Sequence, residues 1–256
     1  MKERATFPAK WVSAQQPVKS GTGSTVKSVA SIPATSKPQG LGMDSAAVRT
    51  RMVQLLQKQG ISDAGVLQAM GAVERHRFVD SALVNQAYED TSLPIGLGQT
   101  ISKPGVVSRM IELLRNGSQG TLGRVLEIGT GCGYQAAVLS LLAKEVYSIE
   151  RLRGLHDKAR ENLRPFRLAN VHLLFGDGME GYAKGAPYAG IIAAAGGEAV
   201  PQAWLDQLAV GGRLVAPVHA AGGRSQALLV VDKTANGFAR RVLEAVHFVP
   251  LKSGVA

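Results

Sequence analysis

The chain has 256 residues, of which 45% are hydrophobic, so it can bury a full core and is long enough for one main domain with an appendage. No apolar run reaches the roughly 18 residues of a membrane-spanning helix, so we expect no membrane partner. One cysteine excludes an intramolecular disulfide and a cysteine-rich metal site, and without an apolar signal core near the N-terminus we expect a cytoplasmic protein.

The net charge of +10 is uneven along the chain. Residues 1–42 are rich in Ser, Thr, Pro, Gly and Lys without helical or strand periodicity, which predicts a disordered basic tail. The basic residues at 151–164 alternate with Asp157 and Glu161, as on the solvated face of a helix. We therefore expect no nucleic-acid partner.

A helical region follows the tail. A first helix is predicted to begin near Met43, and Ser62 or Asp63 can cap a second. Residues 75–98 are less regular and are predicted as a loop across an apolar surface. A third helix follows Pro104.

From residue 125 onward, short apolar runs alternate with helical segments, which is the pattern of βαβ units. Two later runs, 226–231 and 240–248, predict an antiparallel pair joined through Asn236-Gly237. The predicted fold class is α/β, a doubly wound and mainly parallel sheet with an antiparallel edge and an N-terminal helical extension. We expect one domain over residues 43–256, with a helical, substrate-side part at 43–120 and a cofactor-binding core at 121–256. Strands are predicted at 124–128, 145–149, 171–175, 189–194 and 212–217, and helices at 134–143, 152–164 and 201–209.

A glycine-rich turn, Glu127-Ile-Gly-Thr-Gly-Cys-Gly-Tyr134, joins the first of these strands to a helix. Such a turn lets the backbone approach a ligand closely and directs helix N-terminal amides at it. Tyr134 stands where a dinucleotide fingerprint requires its third glycine, which disfavours a dinucleotide site. No Lys-Ser or Lys-Thr follows the turn, so it is not a P-loop. Glu127 would repel phosphates but suits a ligand with an amino group and a sulfonium, and S-adenosylmethionine has both.

Two acidic residues follow at later strand ends. Glu150 stands 21 residues after Gly129, where an acidic side chain meets ribose hydroxyls in such folds. Asp177, after Gly176, can face an adenine amino group. Taken alone, each of these features has a simpler interpretation. Glu150 could do no more than cap the next helix, and residues 176–178 could be an ordinary loop. Since open α/β sheets bind ligands at the carboxyl ends of their strands, the three features together favour a cofactor site.

Several runs resemble protein-L-isoaspartate O-methyltransferases, from about residue 45 to the end. Residues 90–104, with the sequence DTSLPIGLGQTISKP, are similar to the signature that precedes the core of that family. Residues 125–137 are similar to its first cofactor motif, which many methyltransferases share, whereas Gln-Thr-Ile-Ser at 99–102 is far more specific. The remaining matches are at 201–208, 211–218 and 246–251.

The resemblance implies a Rossmann-like enzyme that transfers a methyl group from S-adenosylmethionine to the free α-carboxylate of L-isoaspartyl residues. Its partners would be isoaspartyl peptides and damaged or unfolded proteins, whose repair the methyl ester begins. It implies that Ser102 is the active-site serine. The residues that it implies around the site and the cofactor are Gln99, Thr100, Ile101, Gly129, Thr130, Gly131, Cys132, Gly133, Glu150, Arg151, Gly176 and Asp177.

The chain departs from the family pattern at three places. Ala189-Gly190 stands where an acidic residue opens the fourth strand, the run Ala-Ala-Ala-Gly-Gly at 193–197 makes the end of that strand unusually small, and His219 replaces a common glycine. These changes concern the substrate cleft rather than the cofactor site. Two other functions remain open, methyl transfer to another acceptor such as RNA and cofactor binding by a non-catalytic adaptor. The five histidines lack ligand-like spacing, so we expect no metal, Cys132 is expected to pack rather than react, and a monomer is expected.

Overall fold

The computed structural model describes residues 46–118, 120–220 and 225–256. The predicted tail at 1–42 and the predicted start of the first helix at 43–45 lie outside this part of the chain. None of the described helices is long and apolar enough to cross a membrane.

One sheet of seven strands forms the centre of the fold. The strands of the described residues are β1 (Leu93–Gly96), β2 (Gln99–Ile101), β3 (Leu122–Ile128), β4 (Ala143–Glu150), β5 (Val171–Phe175), β6 (Tyr188–Ala193), β7 (Leu208–His219), β8 (Gln226–Thr234) and β9 (Gly237–Val246). The sheet has the order β5-β4-β3-β6-β7-β8-β9, while β1 and β2 form a separate hairpin. Strands β3 to β7 pair in parallel, and β8 and β9 pair antiparallel. The predicted α/β sheet with an antiparallel edge is confirmed.

Helices cover both faces of this sheet. They are α1 (Ala46–Lys58), α2 (Ala64–Ala72), α3 (Pro104–Arg115), α4 (Tyr134–Ser140), α5 (Arg153–Leu163) and α6 (Gln202–Gln207). Successive strand residues point to opposite faces, so Val125 of β3 packs in the cluster that contains α1 to α5, while Leu126 packs in the cluster with Trp204 of α6. Burial on both faces explains why the parallel strands are nearly continuous apolar runs.

The segment at 75–98 differs from the predicted loop. It contains two short 3-10 helices, Arg75–Phe78 and Ser81–Gln86, and then the hairpin of β1 and β2. Leu97 and Gly98 form its turn with φ of 52° and 69°. Strands of four and three residues are too short for alternation to be distinct, so the sequence pattern did not reveal them.

Some boundaries also differ. Helix α4 ends at Ser140 rather than 143, because β4 already begins at Ala143. Strand β9 begins at Gly237, which pairs with Thr234, so the two turn residues are 235 and 236 instead of Asn236-Gly237.

A buried ion pair fixes α3 against α2. Asp63 caps α2 by accepting a hydrogen bond from the Val66 amide at 3.0 Å, and its other oxygen accepts one from Arg115 Nε of α3 at 2.8 Å. The Arg115 and Asp63 side chains are only 5% and 10% exposed. The pair holds the C-terminal end of α3, the helix that begins two residues after Ser102 and the Gln-Thr-Ile-Ser segment.

We predict that D63A lowers the free energy of unfolding by about 3 kcal/mol, because removal of one partner leaves the Arg115 charge buried without compensation. Urea denaturation measures this. D63N is the matched control. Asparagine also caps helices, so D63N should lower the free energy of unfolding less than D63A does. A D63A protein as stable as the wild type would contradict a structural role for the pair.

Candidate active site

The strand order reverses between β3 and β6, and a cavity of about 460 Å³ opens there at the carboxyl ends of the strands. Such a reversal is where open α/β sheets bind ligands. We call this space the first cavity. Its wall combines the turn after β3, the end of β4, the β1–β2 hairpin and the C-terminal residues. These segments contribute residues 129–132, 149–152, 97–102 and 249–252.

The glycine turn lies in a narrow space. Gly129 and Gly131 have φ of 89° and 56°, backbone angles that residues other than glycine rarely adopt. A Cβ at Gly131 would lie 3.2 Å from Ile95 of the hairpin, and one at Gly129 would lie 3.6 Å from Ala194 after β6. Gly133, by contrast, packs against Leu163 and does not line the cavity.

Glu150 connects two parts of the first cavity wall. Its Oε2 accepts a hydrogen bond from the Gly131 amide, and its Oε1 accepts one from the Leu152 amide, both at 2.9 Å. Leu152 is the N-cap residue of α5, so Glu150 both lines the cavity and holds the residue that precedes the first turn of the next helix. Each carboxylate oxygen keeps a further lone pair for a ligand hydroxyl.

Glu127 lies beneath the turn and does not line the first cavity. It is fully buried and accepts a hydrogen bond from Ser148, whose hydroxyl also pairs with Thr130 at 2.6 Å. Burial raises the pKa of Glu127 to about 8. Its carboxyl is therefore mostly protonated at neutral pH.

Two buried polar atoms at this end of the site lack a hydrogen-bond partner among the described residues. They are Oε1 of Glu127 and Nε2 of Gln135, and Gln135 lines the first cavity. Of the two, only Gln135 borders the first cavity, and its amide can donate a hydrogen bond to a ligand carboxylate. The residues present, and a volume typical of small-molecule sites, therefore fit S-adenosylmethionine.

Asp177 and Gly176 do not line the first cavity, although the next residue, Gly178, does. One Asp177 oxygen accepts a hydrogen bond from the Met179 amide at 2.8 Å, and the other accepts one from the Gly254 amide at 2.5 Å. Asp177 thus holds the C-terminal segment, by which we mean residues 247–256.

The C-terminal segment is the part of the site that sequence reasoning missed. Its Leu251 amide donates to Gly196 after β6 at 2.8 Å, and its Ala256 amide donates to Arg151 after β4 at 2.8 Å. The Arg151 side chain returns a hydrogen bond to Gly254, also at 2.8 Å. The segment therefore crosses from one strand end to another over the first cavity. Its resemblance to the family at 246–251 was the available signal.

A second cavity of about 690 Å³ adjoins the first, between the N-terminus of α3 and the ends of β8 and β9. Four residues line both cavities, namely Thr100, Ser102, Ala194 and Val249, whereas Gln99 and Ile101 line only the first. Ser102 is half-buried, and its hydroxyl has no hydrogen-bond partner among the described residues. The structure thus brings the predicted serine to the common wall of the two cavities.

The remaining predicted features are Cys132, which lines the first cavity, and Gly190 and His219, which line neither cavity. Burial raises the pKa of Cys132 to about 11, so its thiol is neutral, in agreement with a packing role. Gly190 packs against Leu114 of α3, and His219 lines neither cavity, so these two departures from the family pattern do not alter the walls of the site. The described residues contain no group of three or more His, Cys, Asp or Glu side chains able to hold a metal.

Comparison with known proteins agrees with the resemblance. A sequence model of the family described as protein-L-isoaspartate(D-aspartate) O-methyltransferase matches residues 47–256. A protein-L-isoaspartate O-methyltransferase of Methylibium petroleiphilum is 64% identical over 219 residues, which are 85% of this chain and 81% of that protein. One from Leptothrix cholodnii is 61% identical over 219 residues, covering 85% and 77%.

Solved structures give the same result for the fold. A protein-L-isoaspartate O-methyltransferase matches with a TM-score of 0.73 and 28% identity, covering 81% of this chain and 67% of that one. A Plasmodium falciparum protein, described as a putative enzyme of this kind in complex with S-adenosyl-L-homocysteine, matches with a TM-score of 0.70 and 23% identity, covering 80% and 98%.

We predict that the wild type loses stability relative to E127Q as the pH rises from about 5 to about 8. The pKa of Glu127 is raised from 4.5 to about 8 on folding, so in this range the folded state keeps a proton that the unfolded chain has released. The loss is at most about 1.4 kcal/mol per pH unit and stops above the folded pKa.

Urea denaturation of both proteins across this range tests the prediction. E161Q, which replaces an exposed glutamate of α5, should instead keep a pH profile parallel to that of the wild type. Parallel profiles for E127Q and the wild type would show that Glu127 is ionised in the folded protein.

Proposed function

This chain belongs to the protein-L-isoaspartate(D-aspartate) O-methyltransferase family, and from that membership and the geometry of the site we infer that it is a repair methyltransferase. It transfers a methyl group from S-adenosyl-L-methionine to the free carboxylate of L-isoaspartyl residues in peptides and damaged proteins. The observation that carries this conclusion is the meeting of two cavities at Thr100, Ser102, Ala194 and Val249.

The two cavities suit different molecules. The first is bordered by four chain segments and has the unpartnered amide of Gln135 in its wall, which supports a small cofactor there. The second, larger cavity lies beside the exposed strand β9, and this position favours an extended peptide as its ligand. We propose that the cofactor lies in the first cavity and the isoaspartyl residue in the second, so that donor and acceptor meet at the common wall.

The reaction requires little acid–base chemistry from the protein. When bound, S-adenosylmethionine supplies a methyl group on a positively charged sulfur. The acceptor carboxylate, with a reference pKa of about 4, is ionised at neutral pH and needs no strong base to become a nucleophile. Orientation can contribute several kcal/mol to such a transfer, so the main task of the site is to hold the carboxylate in line with the methyl group.

Ser102 is the residue we propose for that task. Its hydroxyl has no partner among the described residues and lies in the wall between the cavities. A hydroxyl there can donate a hydrogen bond to the acceptor carboxylate, and hydrogen bonds to charged groups are stronger than those between neutral groups.

The substrate assignment predicts label transfer from S-adenosylmethionine to an isoaspartyl peptide, but neither to the matched aspartyl peptide nor to tRNA. The label should be base-labile, because the product is a methyl ester. Label on tRNA, or on neither peptide, would contradict the assignment.

We predict that S102A lowers kcat by about tenfold to a hundredfold, since a hydrogen bond to a charged group contributes about 1.5–3 kcal/mol. Binding of S-adenosylhomocysteine, measured by calorimetry, should change little, because the cofactor keeps its other contacts. S81A is the matched control, since Ser81 is exposed and lines neither cavity. Wild-type turnover by S102A would remove Ser102 from the mechanism.

A further inference from the structure

The second cavity must accept an anion, because the isoaspartyl carboxylate is ionised before it is methylated. Removing a carboxylate from water is costly unless the protein supplies a cation or hydrogen-bond donors. The charged side chains that line the cavity are Lys103, Arg109, Asp90 and Glu244, with His247 as a further titratable group. Lys103 and Arg109 are both positively charged at neutral pH, so these two side chains are the candidates for binding the carboxylate.

Arg109 is already occupied. Its Nε donates to Glu244 of β9 at 2.8 Å, and a second guanidinium nitrogen donates to Glu112 at 3.2 Å. Two carboxylates thus surround this cation, and a third would have to displace one of them.

Lys103 is placed differently. Its ammonium group lies 3.9 Å from Asp90, too far for a hydrogen bond, and donates no hydrogen bond to the described residues. The side chain is 47% exposed. Asp90 is itself engaged, because its two oxygens accept hydrogen bonds from the Gly105 amide at 2.7 Å and from Gln59 Nε2 at 3.0 Å. Lys103 therefore keeps its donors for a ligand.

The backbone around Lys103 supports the same conclusion. Lys103 is the N-cap residue of α3, where Ser, Thr, Asp or Asn is preferred and a positive charge opposes the helix dipole. The amides of this turn are not available to an anion either. Gly105 donates to Asp90, Val106 and Val107 donate to the Lys103 carbonyl, and Pro104 has no amide hydrogen.

We propose that Lys103, which follows Ser102 in the chain and lines the second cavity, binds the substrate carboxylate. This inference rests on the proposed function and adds to it the cation that recognises the substrate. Lys103 lines the second cavity and not the first, so it acts on the peptide and leaves the cofactor contacts unchanged. Ligand binding thereby explains why an unfavourable N-cap residue, Lys103, stands at the start of α3.

The test compares two peptides that differ only in the acceptor group, one with isoaspartate and one with isoasparagine, its neutral α-amide. Their Kd values are measured on enzyme saturated with S-adenosylhomocysteine, so that no methyl group is transferred. We expect the wild type to bind the isoaspartyl peptide about tenfold more tightly than the isoasparaginyl peptide. K103Q should lose most of this preference, because only the Ser102 hydroxyl remains, and K103R should retain more of it than K103Q. The affinity of K103Q for S-adenosylhomocysteine should equal that of the wild type.

K144Q is the matched control. It removes one exposed lysine near the start of β4, at the end of the strand away from the first cavity, and should keep the full preference for the isoaspartyl peptide. A K103Q enzyme with the wild-type preference, or a K103R enzyme that loses it as completely as K103Q, would overturn the inference. Failure of the wild type to methylate the isoaspartyl peptide would instead contradict the proposed function, so the two failures are distinguishable.

Discussion

Two backbone amides, of Gly131 and Leu152, converge on the carboxylate of Glu150, and the rest of the site depends on this contact. It joins the turn after β3 to the first residues of α5, at the strand edge where parallel pairing has already brought β3 and β4 side by side. With the turn held, Ile95 of the hairpin lies so close to Gly131 that a Cβ there would be 3.2 Å from it. The hairpin in turn carries the Gln-Thr-Ile-Ser segment to the cavity wall.

The hairpin contributes different side chains to the two cavities by simple strand geometry. Successive side chains of a strand point in opposite directions, so Thr100 and Ser102 reach the wall common to both cavities, while Gln99 and Ile101 face the first cavity alone. A one-residue shift of this pairing would exchange the two sets. The Lys158 ammonium donates to the Ile95 carbonyl at 2.9 Å, and the Asp90 carboxylate accepts a hydrogen bond from the Gly105 amide at 2.7 Å, which holds the start of α3 just after the segment. A short hairpin can therefore position a serine although most of its own turn is exposed.

The sequence predicted the parts of the fold and site that depend on local pattern. Apolar runs located the parallel strands, and the glycine turn located the ligand side of the sheet. The short strands of the hairpin carry too few residues for a periodic signal. The C-terminal segment has no regular structure, so its position follows from long-range hydrogen bonds to Gly196 and Arg151, which no local pattern encodes. Gly190 was associated with the substrate cleft because it departs from the family pattern, but the structure places it against Leu114 of α3.

Asp177 and Arg151 illustrate a further limit of residue patterns. Both occupy positions typical of cofactor contacts, at the ends of β5 and β4. In this chain the Asp177 carboxylate accepts hydrogen bonds from the amides of Met179 and Gly254, and the Arg151 side chain donates to the Gly254 carbonyl. Gly254 is therefore held from both sides, and the C-terminal segment is fastened across the first cavity by residues that a motif assigns to the ligand. Since residues 249–252 form part of that cavity wall, these two side chains shape the first cavity through the C-terminal segment. A strand-end position therefore indicates proximity to the cavity more reliably than direct contact with a ligand.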